Sequence, residues 1–564
     1  MTAPKRQIQL NFFDTTCAGN NTMLGSWRDP KDAARNNKDR MEYYMWLAKI
    51  AEKGKISSIF FADVYAGHEV YGGTMEAQYT GGSQVGALDP VVMIGSMAAV
   101  TDSVSFVVTG SSTYIKPYML ARTWSSLDHI TNGRVAWNIV TSYSNSSARA
   151  MGLDSIAPHD ERYKIAEEYM EVVYRLWNYC WEDGAQIFDA NKGPFGTAYD
   201  FSKIHKLQFE GKYHKLAGIH QTHPSPQRIP MLFQAGASKA GIQFAGKHAE
   251  GLFCVGATIE RTKDYIRQVR EVAVANGRSP DAVKFFLGIT PIIGRTMEEA
   301  NEKFEAMRKN LHVIGGLARF GGFTGVDLSS FPLDEPFEFK GDLTDVGIHS
   351  AIETLKANPD LDKFGKELPW TPRKIGEVMA VGSFNPIPVG TPEMVADVFQ
   401  KWFEEAGVDG FNVSYVTNPQ SYTDLVELLV PELQRRGIYW DDYAVPGGTM
   451  RENFYAKPGQ CHLPDDHPST QFRWNAPTSK TVEDPLEGFR WNSPKVAEPA
   501  PADPSDPLSG YRWKSPVPLP LSKTVEDPLK GFRWNSPKVE KPAPADPSDP
   551  LSGYRWKSLV SVKV

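Results

Sequence analysis

The sequence predicts a (β/α)8 TIM barrel with long insertions, followed by a proline-rich repetitive C-terminal tail. Three observations carry this reading. Residues 1–455 hold eight short apolar runs rich in β-branched and aromatic residues. Amphipathic helical patterns separate most of these runs. From Ala456 onward the composition changes: the last 109 residues hold 19 of the 41 prolines and contain no Ile or Met. At 564 residues and 41% hydrophobic, the chain exceeds one ordinary domain and can bury a large core.

The strand candidates are Ile8–Phe13, Ile59–Asp63, Val104–Gly110, Arg134–Thr141, Ile229–Gly236, Gly251–Gly256, Val283–Ile293 and Gly410–Val416. Their continuous rather than alternating apolar character marks strands buried on both faces. Helical spacing occurs over Arg40–Lys53, Pro117–Ile130, Asp160–Trp181, Ser238–Ala249, Thr258–Ala275, Thr391–Ala406 and Tyr422–Arg436. Pro117 and Pro392 stand where a first helical turn tolerates a missing N–H, and Thr391 is a cap ahead of Pro392. Eight strands with intervening helices argue for a barrel. An open doubly wound sheet is the alternative, but no Gly-x-Gly-x-x-Gly joins a first strand to its helix. Two stretches break the alternation, residues 182–227 and 316–388. They are expected as insertions at strand ends and as candidate lids.

Residues 456–564 have too few aliphatic side chains to offset ordering entropy and are expected to be extended and disordered. They repeat: 479–515 and 522–558 match at 34 of 37 positions. Each copy contains Asp-Pro-Leu-x-Gly-aromatic-Arg-Trp twice, and Phe472-Arg473-Trp474-Asn475 is a degenerate fifth unit. The repeats lack the aliphatic stripes of a solenoid. The tail is either an inert duplication or a multivalent docking device for an unknown protein partner. Exposed Arg, Trp and aromatic side chains typify binding hot spots, and linked weak sites gain avidity.

Several function classes lose support. A net charge of −6 gives no electrostatic case for nucleic acid or an anionic membrane. Four cysteines, Cys17, Cys180, Cys254 and Cys461, are far apart, which argues against a disulfide scaffold or a cysteine-rich zinc site. His220-Gln221-Thr222-His223 has ligand-like spacing but no carboxylate at helical spacing, so no metal site is expected. No apolar run of about 18 residues is present. Neither a secretory h-region nor a Ser-Lys-Leu terminus is seen, so a cytoplasmic location is expected. Gly-x-Ser-x-Gly and Walker motifs are missing, which removes support for hydrolase and NTPase readings.

In a barrel the chemistry lies at the C-terminal strand ends. Asp63 tips the second run and either holds a polar ligand or caps the next segment. Thr109-Gly110-Ser111-Ser112-Thr113 ends the third, as a ligand platform or an ordinary loop. Asn138 interrupts the apolar fourth run, so its amide needs partners: a heterocycle edge or a structural hydrogen bond. His159 and Tyr163, spaced i, i+4, share one face near a helix start. There they contact a ligand, or Asp160 caps the helix while Arg162 forms a surface pair. Gln234-Ala235-Gly236-Ala237-Ser238 ends a strand and opens a helix. Small residues and free N–H groups there suit a phosphate, with Ser238 as cap, ligand or both.

These stretches together resemble the bacterial-luciferase-like flavin monooxygenases. The branch is that of the nitrilotriacetate, dibenzothiophene-sulfone and dimethyl-sulfide monooxygenase large components. The matching residues are Leu10-Asn11-Phe12-Phe13, Ser26-Trp27-Arg28, Phe60-Phe61-Ala62-Asp63, His159–Tyr163, Pro224–Arg228, Phe233–Gly241, Lys247–Glu250 and Ala406–Asn412. They cover nearly all of 1–455 and none of the tail. The resemblance implies reduced FMN (FMNH2) as co-substrate, supplied by a separate NAD(P)H:flavin reductase. It implies O2 activation as a C4a-peroxyflavin, transfer of one oxygen atom to a small organic substrate, and a homo-oligomer. It also implies flavin contacts at Asp63, Thr109, Asn138, His159, Tyr163, Gly236 and Ser238, with Tyr163 and Ser238 towards the phosphate.

One departure stands out. Relatives carry a histidine shortly after Cys-x-Gly, whereas Cys17-Ala18-Gly19 is followed here by Asn20 and Asn21. Asn hydrogen-bonds a peroxide but cannot titrate near neutral pH. Asn20 and Asn21 are therefore the candidate catalytic residues, and the identity of the acid–base group stays open. Two alternatives remain: a scaffold protein with a degenerate barrel and a partner-clustering tail, and a deazaflavin-dependent hydride transfer.

Overall fold

A computed structural model describes residues 6–19, 23–254, 256, 258–336, 370–382 and 384–476. The duplicated segments 479–515 and 522–558 lie outside the described residues, as do Asn20 and Asn21. In chain order the strands are β1 (Gln9–Asp14), β2 (Ser58–Phe61), β3 (Ser105–Ser111), β4 (Val135–Val140), β5 (Gln186–Asp189), β6 (Thr197–Tyr199) and β7 (Leu207–Glu210). They continue as β8 (Lys215–Gly218), β9 (Met231–Gln234), β10 (Gly251–Cys254), β11 (Lys284–Ile289), β12 (Ile292–Ile293), β13 (Val389–Gly390) and β14 (Gly410–Val413). Eight of them close an all-parallel barrel in the order β1-β14-β11-β10-β9-β4-β3-β2. Each apolar run expected from the sequence supplies one barrel strand.

Alternate residues of these strands face two cores, which is why the runs are apolar throughout. Phe13, Phe60, Val107, Ala136, Met231, Phe233 and Phe286 form the inner cluster. The helix Met450–Tyr455 closes it with Phe454, whose ring centroid lies 5.8 Å from Phe233 and 5.7 Å from Phe286. The intervening residues, Phe12, Ile59, Val108 and Ile139 among them, pack outward on the helices. Helix starts obey a short-range grammar. Thr258, Thr296, Thr371 and Thr391 each accept an N–H two or three residues into the helix. Thr449 and Glu452 form a reciprocal capping box.

Three boundaries differ from expectation. The run Val283–Ile293 is two strands, because β11 ends at Ile289 and Pro291 has no N–H to continue the ladder; β12 pairs instead with β13. The limit at residue 316 falls inside the helix Val313–Thr324. Together with Pro372–Ala380, that helix builds a second apolar core with Met23, Leu24 and Ile292 over the ends of β1 and β11. The packed chain also continues past Tyr455 to Ala476. His467 is buried and hydrogen-bonds the His248 carbonyl at 3.0 Å, and Phe472 stacks on Tyr174.

The other insertion packs beside the helices Pro117–Ile130 and His159–Asn178, and its β7–β8 turn reaches Glu161 next to the start of the second of them. The hairpins β5–β6 and β7–β8 brace the flank. Tyr118 Oη donates to the Ile219 carbonyl at 3.0 Å, and the Glu168 carboxylate accepts the backbone N–H groups of Lys212, Tyr213 and His214.

Below the barrel, Arg451 makes a bidentate contact with Glu250, at 2.7 and 3.0 Å, and both side chains are fully buried. Arg451→Ala leaves a buried carboxylate unpaired and is expected to cost about 3–5 kcal/mol. Arg451→Met combined with Glu250→Gln is expected to cost less. Urea unfolding of the three proteins measures both, and equal losses would show that the pair does not act as a unit.

Candidate active site

The C-terminal strand ends hold buried polar atoms without a partner among the described residues. Asn138 Oδ1 (β4), Gln234 Oε1 (β9), Thr290 Oγ1 (after β11), Asn412 Nδ2 (β14) and Ser414 Oγ (after β14) are of this kind. A cluster of orphaned donors and acceptors at one end of a barrel is costly unless a polar ligand completes it.

Two groups of sequence-predicted residues come together along β3, β4 and β9. Thr109 Oγ1 donates to the Phe61 carbonyl at 2.8 Å and accepts from Asn138 Nδ2 at 2.9 Å. This fixes Asn138 with its carbonyl oxygen free. In register, Asn138 lies beside Phe233 and Ile139 beside Gln234. The second group follows at once. Ser238 Oγ accepts the Gly241 N–H at 3.1 Å and caps the helix Lys239–His248. Gly236 and Gly241 leave space against one hydroxyl. A Cβ on Gly236 would stand 3.1 Å from Tyr163 Oη and 2.4 Å from Gln234 Nε2, and one on Gly241 would stand 2.9 Å from the same Oη. Tyr265 Oη holds the loop by donating to the Gly236 carbonyl at 2.8 Å. The result is a glycine cradle with a phenol, a cap hydroxyl and a helix start around it, which suits an anionic group such as a phosphate.

His159 stands at the rim, half exposed, with its ring 5.3 Å from that of Tyr163 and its Nδ1 2.8 Å from the Asp160 carboxylate. Two structural alternatives for this helix fail. Its N-cap is Pro158, so Asp160 does not cap it. Arg162 donates to the Ala157 carbonyl at 2.9 Å and makes no ion pair among the described residues.

Asp63 follows β2. Burial, with the neighbouring Asp89 carboxylate adding to it, raises its pKa from 3.8 to about 7. Tyr65 stands close by, its own pKa pushed up to about 12 by burial, and accepts the Ser111 N–H at 3.4 Å.

Two features were not legible from motif reading. After β1, Asp14 and Lys38 form a buried ion pair at 2.5 Å, with Tyr43 Oη donating to Asp14 at 2.7 Å and Lys38 Nζ to the Thr15 carbonyl at 2.6 Å. This pins the loop carrying Cys17. The second feature is His68 with Arg319, which approach across the mouth from the β2 loop and from the helix Val313–Thr324. Burial and then the Arg319 cation lower the His68 pKa to about 4, so the ring is neutral. Nothing local in the sequence couples residues 251 positions apart.

Residues 19–410 match the family model for luciferase-like monooxygenases. The chain belongs to that family. It is 40% identical over 469 residues to the dimethyl-sulfide monooxygenase of Hyphomicrobium sulfonivorans, covering 83% of this chain and 94% of the relative. The crystal structure of DmoA from Hyphomicrobium sulfonivorans aligns with a TM-score of 0.76 and 38% identity, over 85% of this chain and all of that one. A riboflavin lyase (RcaE) structure, with modified FMN and riboflavin, aligns at a TM-score of 0.70 and 31% identity over 83% of this chain and all of that one. The chain is a luciferase-like monooxygenase, and members of the family use reduced flavin. Among the described residues of this monooxygenase, no helix is long and apolar enough to cross a membrane, and no three His, Cys, Asp or Glu side chains are grouped to hold a metal ion.

The Asp63 carboxyl yields a pH prediction. Its folded-state pKa lies above the ordinary value of 3.8, so the folded protein holds a proton that the unfolded chain has lost. Its contribution to stability is full below about 4 and is lost as pH rises through about 7. Thermal unfolding between pH 5 and 8 should therefore show a steeper fall in Tm for the wild type than for Asp63→Asn. Parallel curves would remove Asp63 as a near-neutral titrating group.

Proposed function

We propose that this monooxygenase is the oxygenase of a two-component pair. It receives FMNH2 from a separate NAD(P)H:flavin reductase and uses O2 to place one oxygen atom on a small organic substrate. The cradle at Gly236 carries the reading. Tyr163 Oη, Ser238 Oγ and the helix start around it are suited to the FMN phosphate, the orphaned Asn138 carbonyl to the ring edge, and Thr109 to positioning that amide. His159 adds contact at the rim.

The flavin, when bound, supplies the electrons that activate dioxygen. The chain's share is enclosure and proton handling. The apolar core formed by Val313–Thr324 and Pro372–Ala380 covers Met23, Leu24 and Ile292, which follow β1 and β11, and would help keep water from the reacting atoms. Asp63, titrating near 7, is suited to exchange a proton at its carboxyl oxygen. Asn20 and Asn21 are proposed to hydrogen-bond the reacting oxygen without titrating.

The tail reading is a docking one. Its support is the degenerate unit at residues 472–475, which packs on the helix His159–Asn178 of its own barrel. Phe472 stacks on Tyr174 at 6.2 Å, the Arg175 guanidinium lies 4.9 Å from the Phe472 ring, and the Trp474 N–H reaches the Asn178 carbonyl at 3.2 Å.

Anaerobic titration with photoreduced FMN tests the site. Tyr163→Phe and Ser238→Ala should each weaken binding by about tenfold, the worth of one hydrogen bond to a charged group. Wild-type affinity in both variants would remove the assignment. Substrate-dependent O2 consumption should require both NAD(P)H and a flavin reductase. A chain ending at Ala476 should keep that turnover and lose any protein that co-purifies with the full chain; retention of such a partner would remove the docking role.

A further inference from the structure

Arg319 is a buried cation without a counter-ion. Its residue is 5% exposed, and no described side chain or carbonyl accepts a hydrogen bond from it; its Nε and Nη1 are fully shut from solvent. No ion pair reaches it among the described residues, and the groups that act on it electrostatically are Tyr143 and Cys17, neither a carboxylate. A buried guanidinium in this condition pays its desolvation with no return, so it is retained only where something else completes it.

Its neighbours share the deficit. The His68 ring packs against the same helix, where a Cβ on Gly322 would meet it at 2.4 Å, and His68 Nε2 is buried without a partner. Gln78 accepts the His68 N–H through its Oε1, while its Nε2 is also buried and unpartnered. Three side chains from three segments therefore present nitrogen atoms that no described group satisfies. Two aromatic rings flank the cluster. Phe323 lies 5.4 Å beneath the guanidinium, and half-exposed Tyr143 stacks on His68 at 5.7 Å and opens the cluster to solvent.

We propose that Arg319, with His68 and Gln78, forms a receptor for an anionic group, a carboxylate or sulfonate, on an otherwise apolar substrate. The inference rests on the monooxygenase reading and names its substrate class: an organic acid rather than a neutral molecule. Placement favours the substrate. In the barrel order, β9, which leads into the proposed phosphate cradle, is four strands from β1 in either direction, and Cys17 and His68 follow β1 and β2. The receptor thus lies across the mouth from the cradle. The reduced flavin ring is the other possible source of negative charge, and the test separates the two.

Isothermal titration of the flavin-free full-length chain uses hexanoate and phenylacetate, each against its neutral amide. The wild type should bind the acids at least tenfold more tightly than the amides. Arg319→Leu should abolish that preference, and Arg319→Lys should keep part of it. Without ligand, Arg319→Leu should unfold at the same or a higher temperature than wild type, since it removes an unpaired buried charge; a purely structural arginine would give the opposite. Equal binding of acid and amide by wild type, or an unchanged preference in Arg319→Leu, overturns the proposal. So does an Arg319→Leu chain whose acid preference persists while its FMNH2 affinity falls, which assigns the cation to the flavin. If Arg319→Leu does not fold, the wild-type comparison and Arg319→Lys decide. A chain that prefers acids but binds no FMNH2 keeps the receptor and loses the flavin site.

Discussion

Closure of the eight-stranded parallel barrel is the constraint on which the rest depends. β1 is hydrogen-bonded to β14 on one side and β2 on the other, so no strand edge is left. A polar rung crosses the seam inside: Asn11 Nδ2 donates to Asn412 Oδ1 at 2.8 Å, and Ser58 Oγ donates to Asn11 Oδ1 at 2.7 Å. Parallel strands aim every C-terminal end at one rim. The strands and the short steps after them therefore bring Asp63, Asn138, Ser238 and Ser414 towards one rim although they are scattered over about 350 positions of sequence. The opposite rim is sealed by Phe454 and by the Arg451–Glu250 pair.

The mouth has two sides of different character. After β9 the residues Ala235–Ser238 are small, and a phenol, a cap hydroxyl and the N–H groups of a helix start surround the cradle, with exposed Lys239 next in the chain. Across from it the free groups are a whole guanidinium and an imidazole that burial keeps uncharged. The Asp14–Lys38 pair lies near this second side, but each member already has its partner, so its charges cancel internally and do not satisfy Arg319.

What the sequence made legible followed from local rules. The eight strands were readable because burial on both faces leaves a continuous apolar run. The helix at Thr391-Pro392 was readable because cap and first-turn proline are adjacent in sequence. The same grammar recurs at Thr371-Pro372 and in Thr296 with Glu299, and those helices were missed because they lie in or beside stretches without apolar periodicity of the expected length. In the site, Asn138 and Ser238 were visible as a polar break in a strand and as a cap after glycine. His68 with Arg319, and Asp14 with Lys38, were not. Their pairing is set by barrel closure and by a helix returning from an insertion, and no spacing rule encodes it.

The end of the globular part was misplaced for a related reason. Proline density from residue 456 suggested that nothing downstream could pack, yet His467 is as buried as a core residue and Phe472 lies flat on Tyr174. Aliphatic content measures the ability to build a core, not the ability to be added to one. A segment with a few aromatic and hydrogen-bonding side chains packs readily on a helix that already exists, because the ordering cost falls on few residues. The unit that does so here, Phe-Arg-Trp-Asn followed at one remove by Pro, is repeated with the same residue types at 489–494 and 532–537, and with Tyr for Phe and Lys for Asn at 511–516. Composition alone cannot distinguish an inert tail from a row of such units. The contacts of the first unit name the groups it uses on its own barrel: a flat ring stacked on Tyr174, a guanidinium on Asp465 and the Leu463 carbonyl, and a backbone N–H at the Asn178 carbonyl.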